Sequence, residues 1–92
     1  MIVRIMGEGQ FQLQDEHLVE LNELDDALTD AVNAGDEPRF TQSLTDLLGR
    51  TRSLGTPVTD EYLGGSDLIL PDAGSTLTEV RALLGEEGLI PG

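Results

Sequence analysis

The sequence contains no lysine and no cysteine. Without cysteine, a disulfide framework and a thiolate zinc site are both excluded, and a reducing compartment is permitted. Tryptophan is missing too, and Phe11, Phe40 and Tyr62 are the only aromatic residues. The core therefore has to be aliphatic, built mainly from leucine. Long hydrophobic runs are also lacking, since no stretch approaches the ~20 apolar residues that span a bilayer. Nothing has the pattern of a signal peptide. The expectation is a soluble, cytoplasmic protein.

Positive charge is the scarcest resource. Five arginines stand against eighteen Asp and Glu in 92 residues, a formal charge of −13. Nucleic-acid binding draws on Lys and Arg to neutralise phosphate, and docking on anionic lipid draws on the same groups. Neither nucleic acid nor direct membrane contact is expected, and a macromolecular partner should offer a basic or apolar patch. Acidity of this kind also suits a halophilic or Arg-preferring proteome, as adaptation to solvent rather than to a partner. Composition leaves both readings open. A chain this short buries a modest fraction of its surface, which makes a partner or a homo-oligomer a reasonable source of further stability.

What is present reads as one α+β domain over residues 1–92, in the order ββααβα. Ile2–Met6 is rich in β-branched residues, Gly7-Glu8-Gly9 punctuates it, and Gln10–Leu13 alternates polar with apolar. This predicts a hairpin with a bulged or three-residue loop, its two glycines free to take positive φ. Over Glu16–Ala34, Leu18, Leu21, Leu24, Leu28, Ala31 and Val32 recur at spacings of three and four, one apolar stripe on a helix. Asp15 is the natural N-cap. Val19 falls on the polar side. Asp25 falls within the stripe and is expected at its solvated edge, the sharper alternative being an ion pair with Arg50 or Arg52.

Gly35 reads as the C′ residue of this helix, Asp36 as the cap of the next, and Pro38 as part of its first turn. The second helix, Glu37–Arg52, places Phe40, Leu44, Leu47, Leu48 and Thr51 on one arc, with Asp46 and Arg50 spaced for an i,i+4 pair. Thr56–Ser66 looks irregular. Leu68-Ile69-Leu70, closed by Pro71, predicts a third strand against the hairpin. Thr76 and Glu79 have capping-box spacing at the start of a short helix whose inner face is Leu77, Val80, Leu83 and Leu84, with Gly85 ending it. Leu89 and Ile90 are expected to fold back onto the core.

No chemistry-bearing constellation follows from these positions. Asp25, Asp26 and Asp30 lack the spacing of a calcium loop, and neighbours on a helix point about 100° apart, so they read as a solvated face; Glu86-Glu87 reads likewise. His17 is a lone imidazole without further ligands or a nucleophile beside it. Gly7-Glu8-Gly9 is turn chemistry, not a phosphate cradle. No catalytic residue, metal or cofactor is expected.

Read in order, Met1 to Phe11, Leu21-Asn22-Glu23-Leu24-Asp25-Asp26, Arg52 to Val58, Ser66-Asp67-Leu68-Ile69-Leu70-Pro71 and Gly88-Leu89-Ile90-Pro91-Gly92 resemble the PspA-associated protein family, PspAA. The resemblance spans nearly the whole chain and implies a non-enzymatic adaptor, a small cytoplasmic partner of the phage-shock, ESCRT-like coiled-coil protein PspA in envelope stress. Recruitment to the inner membrane face would then pass through that partner. The residues expected at the contact are Val19, exposed by helix periodicity, with Glu20, Glu23 and Asp26 beside it. A different class of function would be an acidic decoy, mimicking nucleic-acid phosphate in the basic groove of a DNA-binding protein. A small enzyme or metal carrier would need a convergent polar pocket that the sequence does not indicate.

Overall fold

The computed structural model describes residues 1–58, 65–84 and 89. Along the chain run β1 (Ile2–Ile5), β2 (Gly9–Gln12), one 3-10 turn (Asp15–His17), α1 (Leu18–Ala34), α2 (Glu37–Leu54), β3 (Thr56–Pro57), β4 (Leu68–Leu70) and α3 (Leu77–Leu83). The architecture is α+β, as the patterning predicts.

The β1–β2 hairpin turns through three residues, Ile5 pairing with Gly9. Gly7 and Gly9 take φ of 84° and 116°, a region closed to most side chains. The sheet order is β3-β2-β1-β4, with β4 parallel to β1 and the remaining pairings antiparallel. Period-two alternation sorts the side chains. Val3, Ile5, Leu68 and Leu70 are buried, whereas Arg4 and its register partner Ile69 are exposed on the opposite face. β4 is held by more than its ladder: Asp67 donates its N–H to the Ile2 carbonyl and its carboxylate accepts the Ile2 N–H, both at 2.8 Å.

α1 and α2 form the predicted antiparallel pair. Gly35 closes α1 in the left-handed region at φ 67°, and Asp36 caps α2 by accepting the Arg39 N–H. All five arc residues of α2 are buried, and Thr51 satisfies its hydroxyl on the Leu47 carbonyl one turn back at 2.8 Å. Phe40, Leu44, Leu47 and Leu48, with Leu21, Leu28, Ala31 and Val32 of α1, join the inward residues of the sheet in one hydrophobic cluster. Leu18 and Leu24 are half-buried at its margin. The Thr76–Glu79 capping box opens α3.

Several expectations need correction. Asp15 does not cap α1; it lies inside the 3-10 turn, whose own N-cap position is Gln14 and carries no side-chain cap. Thr56–Pro57 is not irregular but a two-residue edge strand on β2, with Val58 N–H reaching the Gln10 carbonyl at 2.9 Å. Proline is tolerated there because an edge position leaves one side of the backbone unpaired. The sheet thus has one strand more than the ββααβα order anticipates. The Asp46–Arg50 pair does not form, since Asp46 accepts from Gln42 and Arg50 reaches across to Glu20. On α3, Leu77 and Val80 are buried and Leu84 is partly so, but Leu83 is 61% exposed. A helix of seven residues has barely two turns, and its last residue, Leu83, is left in solvent. The predicted stop at Gly85 and the contact of Ile90 lie outside the described residues.

Candidate functional site

The outer face of α1 carries the residues singled out from the sequence. Val19 is 68% exposed, and Glu20, Glu23 and Asp26 are exposed as well. At about 100° per residue, Val19, Glu23, Asp26 and Asp30 fall within an arc of about 60°, a single row along the helix. Glu20 stands to one side of the row, where Arg50 of α2 donates Nε to its carboxylate at 2.8 Å. The row is therefore one valine embedded in carboxylates, and Glu20 is already engaged by the neighbouring helix.

Asp25, next to Asp26, points the other way and is only 1% exposed. The solvated-edge expectation is wrong, and so is the ion pair, because Arg50 meets Glu20 while Arg52 forms a two-pronged pair with Glu8. The Asp25 carboxylate instead accepts the N–H of Leu89 at 3.1 Å, and Leu89 packs against the core. A buried carboxylate is retained only when hydrogen-bonded, and this bond ties α1 to the chain end. The 64-residue separation explains why periodicity alone could not reveal it.

Three of the five arginines are spent on the fold itself. The Glu8–Arg52 pair joins the hairpin turn to the end of α2, and the Arg52 hydrogen bond lowers the Glu8 pKa from its ordinary value, against an opposing effect of burial. The same bond raises that of Arg52. Arg50 cross-links the two helices, and Arg81 of α3 donates to the Val32 carbonyl at 2.7 Å, near the α1 C-terminus where a cation is favoured.

A second surface was not anticipated. Among the described residues the exposed large hydrophobics are Met6, Val19, Ile69 and Leu83, and three of the four converge on one groove. Met6, Ile69, Pro71, Leu83 and Leu89 line it among the described residues, all apolar, around a volume of about 480 Å³. It lies where the outer face of β1 and β4 meets α3. The sequence signal was faint because Met6, Ile69 and Leu83 come from different segments, and Leu83 fits the inner-face spacing of its helix.

His17 is half-buried at the junction of the 3-10 turn and α1. Asp25 is buried and Asp26 exposed, and among the described residues no three His, Asp or Glu side chains gather as a metal-holding group. Glu86 and Glu87 lie outside the described residues. Among those described, no helix is long and apolar enough to cross a membrane.

These features define a small two-layer α+β protein whose distinctive chemistry is on its surfaces, one acidic and one apolar. The family model described as PspA-Associated protein, PspAA, matches residues 1–92, and the chain belongs to that family. No curated protein and no solved structure gives a match.

Proposed function

We propose that the chain is a non-enzymatic adaptor that binds a PspA-like helical protein, with Val19, Glu20, Glu23 and Asp26 on the approaching face. Family membership supports the partner class. The observation that carries the adaptor reading is Val19, 68% exposed on a helix whose other large apolar residues are buried or half-buried. An apolar side chain ringed by carboxylates suits a partner surface with an apolar spot bordered by basic side chains. The surrounding charge would raise the association rate and disfavour acidic competitors. Contact with a membrane would run through the partner in the cytoplasm, because a surface of −13 net charge is repelled by anionic headgroups.

Co-purification with a PspA-like chain, followed by a binding isotherm at moderate salt, tests the proposal. The expected result is saturable binding that weakens as salt rises. Absence of interaction at moderate salt, with both proteins folded, overturns it. An acidic decoy would behave differently: it would capture a DNA-binding protein and lose affinity far more steeply with salt.

A further inference from the structure

We infer that the groove between β4 and α3 seats the apolar anchors of an amphipathic helix on the partner, a helix whose polar flanks are basic. The inference rests on the adaptor reading and specifies where its affinity resides. The acidic row on α1 offers one apolar side chain, Val19, whereas the groove gathers Met6, Ile69 and Leu83, exposed by 48%, 57% and 61%. Burial of apolar surface is what supplies affinity, while exposed charges act chiefly on encounter. A volume of about 480 Å³ lies within the size range of clefts that take a ligand's apolar groups, ~300–1,000 Å³. Laying the apolar face of a helix into such a groove is a recurrent mode of peptide recognition.

Charge selects the occupant. The exposed carboxylates of Asp67 and Asp72 bracket β4 at its two ends, and Asp72 also lies beside the hairpin turn, its Cβ 4.0 Å from where a side chain on Gly7 would begin. Arg4, the register partner of Ile69, is the cation on that sheet face. The described lining of the groove is thus apolar, β4 carries an aspartate at each end and Arg4 lies beside Ile69, on a chain of net charge −13. A helix with Lys or Arg beside its apolar anchors matches it. A second copy of this chain would bring another −13 to the contact, and so is the weaker candidate.

The experiment compares a purified PspA-like protein binding to the wild-type chain, to the double variant Ile69→Ser/Leu83→Ser, and to Val19→Ser, by a surface kinetic assay. Both groove positions are exposed, so the double variant should keep the wild-type unfolding midpoint. The expected result is a loss of affinity of about tenfold or more for the groove variant, appearing as faster dissociation. Val19→Ser should change affinity less. As a readout that needs no variant, the wild-type chain labelled at its methionine methyl groups gives two signals, Met1 and Met6. Only Met6 should shift strongly on adding the partner. Wild-type dissociation rates in the groove variant, or an unmoved Met6 signal, overturn the groove while leaving the adaptor standing. No binding by the wild-type chain overturns both. A dimer of the free chain that dissociates in the groove variant would assign the groove to self-association and overturn the inference.

Discussion

The α1–α2 hairpin and the β4–α3 region are built from the same aliphatic vocabulary and use it in opposite ways. In the hairpin, the five residues on the inner arc of α2 are buried, and the charges, buried Asp25 apart, face outward or form ion pairs such as Glu20–Arg50. In β4 and α3, Ile69 and Leu83 are turned out to solvent and join Met6 around a groove. Where local pattern and global packing agree, the residues specify the fold; where they part, as at Ile69 and Leu83, the disagreement marks surface that folding does not use. Exposed apolar residues scattered singly are ordinary, but three converging on one hollow are not.

The sharpest test of that contrast is a pair of truncations. Leu47→Ala, at a fully buried position, should cost about 2–5 kcal/mol, and Leu83→Ala should stay within about 0.5 kcal/mol. Urea unfolding would measure both, and similar losses would erase the distinction between the regions. A smaller effect is expected where the hairpin helix turns back to the sheet. A Cβ on Gly55 would sit 2.8 Å from the Thr51 carbonyl oxygen and 2.9 Å from Phe11 Cβ. Gly55→Ala should therefore destabilise by about 1–3 kcal/mol through overpacking, visible as a lower thermal midpoint.

The buried carboxylate links the two regions, and its replacement probes that link. Asp25→Ala leaves the Leu89 N–H without its acceptor, at a cost of about 1–3 kcal/mol, while Asp25→Asn keeps an acceptor oxygen and should cost less. In amide exchange, the Ala variant should lose protection at Leu89 while the α2 core stays unchanged. Equal effects of the two substitutions would show that the hydrogen bond is not what matters.

The smallest effect is at the Glu8–Arg52 pair. Arg52 holds the folded-state pKa of Glu8 below its unfolded value of about 4.3, so the pair's contribution is fully present above that value and is lost as pH falls through the folded pKa. Both side chains are more than 30% exposed, at 32% and 39%, and the contribution should be under about 1 kcal/mol. Comparing the acid limb of the stability profile for wild type and Glu8→Gln measures it; a larger gap at neutral pH than in acid is expected.

Much of this fold was legible in the sequence for a physical reason. Helical period, the Gly35 and Asp36 caps and the Thr76–Glu79 box are local signals, each readable within a few residues. The four residues expected on the α1 surface are exposed for the same reason. What could not be read is non-local. β3 has two residues, too few for a period, and takes its structure from β2. The buried Asp25 carboxylate meets a backbone N–H 64 residues away, and the groove exists only once separate segments are brought together.

The central claim is that the outward surfaces, not the helical seam, make the contact with a PspA-like partner. Amide hydrogen exchange of the chain, free and saturated with that partner, tests it most directly. Added protection should be concentrated in Leu68–Leu70 and Leu77–Leu83, with a smaller gain at the exposed start of α1 and none on the buried arc of α2. Protection confined to α2, or no change anywhere under saturating partner, would contradict the account.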